Sequence, residues 1–313
     1  MQLKRIKIGN LFTPNNIFLA PLAGYTNAVF RELCLGFGAG LTFTEMVSAK
    51  GLGYGNGKTA DLLKVTETYS GIMACQIFGN DPYFMRRACE SPELAGFDIV
   101  DINMGCPVPK IFKNGEGSAL MNNFGLAREI ISECKKSGKL ITVKFRIGLD
   151  ERHICAVEFA EMCEDAGADM ICVHGRTRDK IYAGEVNFSA VADVKKAVTI
   201  PVIANGGVFC KSDAERLLKE TGADGIAVAR GAMYRPWIFS EITGAALTDK
   251  KSAVLRQLEQ TRNIYGERFA CVFMRKMIAF YLHGMQDAVK FKQRLFNAAT
   301  TEEVKDILYE INL

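Results

Sequence analysis

The sequence has no long apolar run. Its charged start, MQLKRIKIGN, is not followed by an apolar segment, and the uncharged stretch Asn10 to Phe30 is broken by two prolines and four asparagines. A membrane-spanning helix needs about 20 consecutive apolar residues, and a secretory signal needs an apolar centre. We therefore expect a cytoplasmic protein with neither a membrane span nor a signal.

The sequence also lacks the cysteine patterns of zinc sites and disulfide frameworks. Its ten cysteines form no C-x-x-C pair and no Cys/His cluster at zinc spacing, and most lie in apolar segments, as Cys75, Cys163 and Cys172 do. This usage favours small buried side chains in a reducing compartment. We predict no metal, although cysteines from distant segments could still converge.

Eight short apolar or β-branched runs are present, and helical patterns follow them. Near-continuous apolar runs suit strands that are buried on both faces, as in a parallel sheet covered by helices. The runs span residues 17–21, 41–46, 72–79, 98–105, 140–148, 169–176, 201–207 and 224–231.

The connecting segments predict helices. Segments 126–138 and 156–167 carry apolar residues at helical spacing and stop at a glycine, and SDAE at 212–215 resembles a capping box. Eight alternating strands and helices predict a (β/α)₈ TIM barrel. A doubly wound sheet is the alternative, but no G-x-G-x-x-G follows the first strand.

The pattern changes after residue 243. The segment 243–252 has the composition of a linker, and the remaining sequence is helical with no strand-like run. We therefore predict a barrel domain at 1–242 and a small all-helical domain at 245–313. The helical region holds 11 basic and 8 acidic residues, an excess that an ordinary solvated surface also explains.

Polar side chains recur at the ends of the predicted strands. In a barrel these ends meet at one face, which carries the active site. Strand interiors rarely contain amides and cations, so their convergence indicates a ligand with many acceptor atoms. The residues are Gln76, Asn103, Lys144, Arg146, His174, Arg176, Asn205, Gly206, Gly207, Arg230 and Gly231, and Cys106 follows the fourth strand directly.

The loops after strands seven and eight indicate a phosphate site. They read NGG and ARGAM, where glycines let backbone N–H groups approach an oxyanion and Arg230 offers a bidentate contact. Tight turns alone would also explain the glycines. With PLAG after strand one, Gln76 and Lys144, the pattern favours flavin mononucleotide (FMN), with Lys144 near the electron-rich end of the ring.

Seven segments follow the order and spacing of one enzyme family across residues 15–240. They are APLAGYTN, QIFGND, DINMGCP, VKFRIGLDE, VHGRTRDKIYAG, PVIANGGV and ARGAMYRPWIF. The sequence resembles the flavin-dependent tRNA dihydrouridine synthases, and segment 264–284 is similar to their bacterial B-type branch.

The resemblance implies an activity and a set of site residues. Members reduce uridine in the D-loop of tRNA to 5,6-dihydrouridine, with FMN in the barrel, NADPH as reductant and a helical domain that binds tRNA. Cys106 matches the general acid that protonates C5 after hydride reaches C6, and a thiol of pKa about 8.5 is mostly protonated at neutral pH. Asn103 matches the asparagine that helps hold the uracil. The implied FMN residues are Pro21, Leu22, Ala23, Gln76, Lys144, His174, Asn205, Gly206, Gly207, Ala229 and Arg230.

Cations in two loops and in the helical region are candidates for contacts to RNA phosphates. Each alone is explained as a solvated side chain, and only the group favours RNA binding. They are Arg176, Arg178, Lys180, Lys110 and Lys113 in the barrel, and Arg275, Lys276 and Arg294 beyond it. We expect the protein to act as a monomer.

Two other functions stay open. A flavin barrel acting on a free pyrimidine, as dihydroorotate dehydrogenases do, explains the barrel but leaves the helical region without a role. A tRNA-binding factor without activity explains the helices but gives no reason to keep Cys106, Lys144 and His174.

Overall fold

A closed barrel of eight parallel strands forms the centre of the computed structural model, which describes residues 2–55, 57–246 and 249–313. Around the barrel the strand order is β3-β4-β5-β6-β7-β8-β9-β10, and β10 pairs with β3. This confirms the predicted (β/α)₈ barrel and places a strand in each of the eight runs. The strands are β1 (Lys7–Ile8), β2 (Leu11–Phe12), β3 (Ile17–Leu19), β4 (Leu41–Ser48), β5 (Met73–Phe78), β6 (Ile99–Met104), β7 (Leu140–Arg146), β8 (Met170–His174), β9 (Val202–Asn205) and β10 (Gly225–Val228).

Helices cover the barrel and continue beyond it. Short 3₁₀ turns lie at Asp61–Leu63, Pro92–Leu94 and Gly117–Asn122. The helices are α1 (Ala28–Gly36), α2 (Ala49–Gly53), α3 (Gly57–Ala60), α4 (Pro82–Cys89), α5 (Pro109–Lys113), α6 (Phe124–Lys135), α7 (Ala156–Asp165), α8 (Phe188–Ala197), α9 (Lys211–Thr221), α10 (Arg230–Tyr234), α11 (Ile238–Thr243), α12 (Lys250–Tyr265), α13 (Glu267–Tyr281), α14 (Ala288–Asn297) and α15 (Thr301–Glu310).

The start of α9 differs from the prediction. The helix begins at Lys211, so the predicted cap at Ser212 is wrong. The carboxylate of Asp213 accepts hydrogen bonds from the backbone N–H groups of Phe209 (2.8 Å) and Cys210 (3.1 Å). Because a side chain at the third helical position reaches back to the cap, Asp213 fixes the start of the helix two residues earlier.

A hairpin that the sequence did not predict closes the amino-terminal end of the barrel. Strands β1 and β2 pair antiparallel around Gly9, whose φ of 55° favours glycine. Ile8 is fully buried in a cluster with Phe18, Phe43 and Ile203. Truncating Phe18 to alanine in such a core costs about 3–5 kcal/mol. Sequence patterns do not reveal this hairpin, because each of its strands has only two residues.

The C-terminal helices pack against one side of the barrel. Helix α12 contacts α1, and α13 contacts α10. The Trp237 and Tyr281 rings lie 5.8 Å apart across this junction. The predicted linker at 243–252 overlaps the end of α11 and the start of α12, and Leu247 and Thr248 lie outside the described residues. The division into domains at 1–242 and 245–313 stays a prediction.

Beyond α11, the described residues form helices and no strand, as predicted. In the three described ranges no helix has the length and apolar character needed to cross a membrane.

Candidate active site

The carboxyl ends of the barrel strands surround a cavity of about 440 Å³. All eleven residues predicted to hold FMN line it, together with Cys106, Asn103 and Arg176. A larger cavity of about 730 Å³ lies between α12 and the loops around Pro14, Gly38 and Gly71, and none of the predicted site residues lines it. Because the polar groups converge in the smaller cavity, we take that one as the site.

Cations dominate the electrostatics of this cavity. Lys144, Arg146, Arg176 and Arg230 line it, and among the residues that the structure describes no carboxylate does. The Lys144 ammonium group donates a hydrogen bond to Asn205 Oδ1 at 3.1 Å, and burial lowers the pKa of Lys144 below its usual value. Buried positive charges without a carboxylate partner are costly, so the arrangement suits an anionic ligand.

His174 supplies a neutral ring to the same cavity. It ends β8, beside Arg146 on one neighbouring strand and Asn205 on the other. Burial and the surrounding cations, Lys144 first, lower the pKa of His174 well below 6.5. The imidazole is therefore uncharged at neutral pH and offers one donor and one acceptor nitrogen.

The loop after β9 gives the cavity a close-fitting backbone wall. Gly206 and Gly207 both have positive φ, 128° and 72°. A Cβ at Gly206 would lie 3.1 Å from His174 Cδ2 and from Val186 Cγ2. Only glycine combines this conformation with such a close approach, and the bare backbone gives an anionic group room to approach N–H donors.

Cys106 lies two residues beyond the end of β6, at the wall of the cavity. Its backbone N–H donates to Asn103 Oδ1 at 2.9 Å, and its carbonyl accepts from Ser118 Oγ at 2.7 Å. Burial raises the pKa of the Cys106 thiol, while a hydrogen bond from the Val108 backbone and the charges of Arg146 and Lys144 lower it in part. The group is therefore a protonated thiol at neutral pH, beside cations that favour its thiolate.

A buried polar chain behind Asn103 was missed from the sequence. Asn103 Nδ2 donates to Gln76 Oε1 at 2.8 Å, and Gln76 Nε2 donates to Asp101 Oδ2 at 2.6 Å. Thr142 Oγ1 donates to Asp101 Oδ1 at 2.6 Å. Burial raises the pKa of Asp101 to about 6. The aspartate in the middle of the strand-like run "DIVDINMG", Asp101, was the signal that could have found it.

Two arginines hold the segment after β8 against the cavity. Arg146 donates to the carbonyl oxygens of Gly105 and Ile181, each at 2.9 Å. Arg176 donates to the carbonyl of Gly184 at 2.9 Å and is only 7% exposed. Arg176, predicted from the sequence both at a strand end and as an RNA contact, thus lines the cavity.

The other predicted RNA contacts of the barrel lie outside the cavity. The Arg178 guanidinium lies 3.9 Å from the centre of the Phe112 ring, which brings the loops after β6 and β8 together. Lys110, Lys113 and Lys180 are exposed in these loops, and Lys180 forms an ion pair with Glu151 at 3.0 Å.

Of the three C-terminal candidates, the structure brings only Lys276 to the loop that follows β3. Its ammonium group donates to the Gly24 carbonyl at 2.6 Å and lies 4.1 Å from the centre of the Tyr25 ring. The Gly24 N–H donates to the Glu45 carboxylate. The peptide groups of Gly24 are thus held from both sides, by the barrel and by α13.

The other two candidates are engaged within the C-terminal helices. Arg275 donates to the carbonyl oxygens of Phe296 (3.0 Å) and Ala298 (2.7 Å) at the end of α14. Arg294 forms a bidentate pair with Glu310, with both distances at 2.5 Å. Neither lines the cavity.

The fold and this cavity define a (β/α)₈-barrel protein with one cation-lined ligand site and a thiol at its wall. The family model described as dihydrouridine synthase (Dus) matches residues 18–312. The tRNA-dihydrouridine synthase B of Pasteurella multocida is 35% identical, over 97% of this chain and 95% of its own length. That of Vibrio parahaemolyticus is 37% identical, over 94% of each chain. The chain belongs to the dihydrouridine synthase family, which confirms the predicted resemblance and its B-type branch.

Solved structures share the barrel at low sequence identity. Histamine dehydrogenase from Rhizobium sp. 4-9 is 14% identical with a TM-score of 0.60, over 88% of this chain and 50% of that one. The old yellow enzyme homologue from Zymomonas mobilis is 14% identical with a TM-score of 0.54, over 78% of this chain and 93% of that one. These likenesses show the fold alone.

Proposed function

We propose that this protein reduces a uridine in the D-loop of tRNA to 5,6-dihydrouridine, with bound FMN and with NADPH as the reductant. The observation that carries the proposal is the position of Cys106, a protonated thiol at the wall of the cation-lined cavity. Membership of the dihydrouridine synthase family supports it. The protein would act as a monomer in the cytoplasm.

The cavity fits FMN in size and in chemistry. Its volume of about 440 Å³ is in the range of small-molecule sites. Arg230 and the backbone of Gly206 and Gly207 would hold the phosphate, since both glycines lie on the cavity wall with positive φ. Lys144 and Gln76 would face the polar edge of the ring, and Pro21, Leu22 and Ala23 would pack against the flavin.

The residues around Cys106 explain a proton transfer. Bound in the cavity, the reduced flavin would supply a hydride to C6 of the uracil. Cys106 Sγ then gives its proton to C5 as a general acid. Its raised pKa keeps the proton on sulfur until that moment, and Arg146 and Lys144 stabilise the resulting thiolate. Asn103 Nδ2 donates to Gln76 Oε1 and, weakly, to Met46 Sδ at 3.7 Å. A uracil carbonyl would replace the sulfur as the acceptor of this second N–H.

A tRNA substrate gives the outer cations a role. A uridine reaches a flavin inside a barrel only after it is turned out of its stack, so the RNA backbone has to be held at the rim. Lys110, Lys113, Arg178 and Lys180 lie in two joined loops there. We propose that these loops and α13, through Lys276, contact the phosphates.

Mass spectrometry of unmodified tRNA incubated with the holoprotein and NADPH tests the activity. We expect a gain of about two mass units per reduced uridine, the mass of the two hydrogens added by hydride and proton transfer. Cys106→Ala should abolish the gain. Cys155→Ala, which changes a half-buried cysteine outside the cavity, should leave it unchanged.

The same protein, assayed also with free pyrimidines and for flavin binding and NADPH oxidation, separates the two rival functions. Reduction of free uracil or orotate but not of tRNA would replace the proposal with a free-pyrimidine oxidoreductase. A protein that binds tRNA but neither binds flavin nor oxidises NADPH would be a binding factor without activity.

A further inference from the structure

Asp101 is a buried carboxylate that touches neither the cavity nor the solvent. It is 1% exposed and lies in β6. Its two oxygens accept hydrogen bonds from Gln76 Nε2 and Thr142 Oγ1, both at 2.6 Å. Burying a carboxylate in a barrel core is costly, which calls for a role that a neutral side chain would not fill.

The hydrogen bonds of Asp101 fix the orientation of two amides in sequence. An ionised carboxylate only accepts, so the amide nitrogen of Gln76 faces Asp101 and its oxygen faces Asn103. Asn103 then presents its nitrogen to Gln76 and its oxygen to the next loop. That oxygen accepts from the N–H groups of Gly105 (3.2 Å) and Cys106 (2.9 Å).

Turning either amide by 180° would break this order. A reversed Asn103 would place its own N–H group against two backbone N–H groups, which leaves buried donors without acceptors. Arg146 and Ser118 hold the carbonyl groups of the loop that carries the thiol, whereas its N–H groups depend on an acceptor, Asp101, that lies three hydrogen bonds away.

We propose that Asp101 is a positioning residue that holds the Gly105–Cys106 loop, and with it the thiol, through Gln76 and Asn103. The proposal rests on the proposed role of Cys106 as the acid. It concerns how this acid is held in place, and it assigns no contact between Asp101 and substrate or flavin.

The surroundings of Asp101 favour its ionised form at neutral pH. A void of about 10 Å³ lies beneath the cavity, and Asp101 and Lys144 are the charged side chains that line it. It has about the volume that one water molecule requires. The hydrogen bonds from Thr142 and Gln76, and then the positive charge of Lys144, lower the pKa of Asp101 against the effect of burial. An ionised Asp101 offers no donor, so the direction of the chain is not reversed.

Three variants separate positioning from general packing. Asp101→Leu removes the acceptor, Asp101→Asn keeps an oxygen that can accept from Gln76, and Thr142→Val removes only the other hydrogen bond of the carboxylate. If the acceptor toward Gln76 holds the loop, the displacement of Cys106 is largest in Asp101→Leu, smaller in Asp101→Asn and absent in Thr142→Val.

The first measurement is the rate of Cys106 alkylation by iodoacetamide in the flavin-free protein, followed by peptide mass spectrometry. Loss of a hydrogen bond to a charged group corresponds to roughly tenfold or more in an equilibrium. We therefore expect Asp101→Leu to raise the Cys106 rate roughly tenfold and Asp101→Asn roughly threefold. The buried Cys172 should stay unreactive, which reports an intact fold.

The second measurement is the single-turnover oxidation of reduced holoprotein by tRNA. Asp101→Leu should slow the step roughly tenfold to a hundredfold at saturating tRNA, with tRNA affinity unchanged. Thr142→Val should stay within about twofold of the wild type, because the Asp101 oxygen that accepts from Gln76 is retained. A structural defect alone would lower the fraction of active protein but would not change the rate constant of that fraction.

The two measurements distinguish failure of this inference from failure of the proposed function. Wild-type alkylation rates of Cys106 in both Asp101 variants would overturn the positioning role, and so would equal effects of Thr142→Val and Asp101→Leu. If Asp101→Leu does not fold, Asp101→Asn decides by the same criteria. An altered alkylation rate in a protein that never reduces tRNA would support the positioning role and refute the reaction.

Discussion

Replacing Asp101 with asparagine should make the protein more stable at neutral pH. The pKa of this carboxyl group is about 6 in the folded protein, against 3.8 for an aspartate that is not buried. A difference of about two units corresponds to about 3 kcal/mol. The folded state binds the proton more tightly than the unfolded state, so the stability contributed by the protonated form is present below about pH 4. It is lost as the pH rises through 6.

Urea unfolding of the flavin-free protein at pH 4, 5, 6 and 7 tests this reasoning. The difference in unfolding free energy between Asp101→Asn and the wild type should grow with pH, by about 3 kcal/mol in favour of the variant. Other titrating groups cancel in the difference. Thr142→Val provides the opposite case, since it removes a hydrogen bond that lowers the pKa of Asp101. Its unfolding free energy should fall relative to that of the wild type as the pH rises. For Asp101→Asn, a pH-independent difference, or one that shrinks with rising pH, would refute the assigned pKa shift.

Three further substitutions test the cavity and its support. Gly206→Ala should weaken FMN binding, measured by flavin fluorescence, because Gly206 has a φ of 128° and an added Cβ would lie 3.1 Å from neighbouring atoms. Gly36→Ala is the control, because a Cβ at Gly36 has no atom within 4 Å, and it should leave FMN binding unchanged. Lys144→Met should lower the flavin reduction potential, because a cation that stabilises the reduced ring is lost. A shift of about 30 mV corresponds to about 1.4 kcal/mol for two electrons. An unchanged potential in spectroelectrochemistry would contradict the placement of Lys144 beside the flavin ring. Lys276→Ala should lower the unfolding free energy by about 1 kcal/mol in urea titration through loss of its hydrogen bond to the loop after β3, and exposed Lys290→Ala should change it little.

The barrel was predictable because its strands are buried on both faces. Each run of apolar residues reports a strand directly, and the position of Cys106 or Lys144 at a strand end places it at the cavity without knowledge of any loop. The hairpin around Gly9 was not predictable, because two-residue strands carry no periodicity and depend on the packing of Ile8 inside the barrel.

The direction of side chains in loops was the other limit. The sequence predicted Arg176 both as a strand-end group facing a ligand and as an RNA contact, and its guanidinium turns inward to backbone carbonyls. Arg275 and Arg294 were grouped with it by charge, yet their partners come from α14 and α15. Such pairings depend on which carbonyls and carboxylates the tertiary fold brings near, and Asp101 was missed because its partners lie on β5 and β7.

The two hydrogen bonds to Gly24 limit which parts of this chain can be removed or exchanged without disturbing the rest. Lys276 of α13 donates a hydrogen bond to the carbonyl of Gly24, and Glu45 of β4 accepts one from its N–H. A barrel cut from its C-terminal helices would lose one of these two anchors, on the loop that begins with Pro21 and Leu22. Exchange of the C-terminal helices between relatives therefore has to carry a lysine at this position, or the graft will also disturb the loop with Pro21 and Leu22 that lines the cavity.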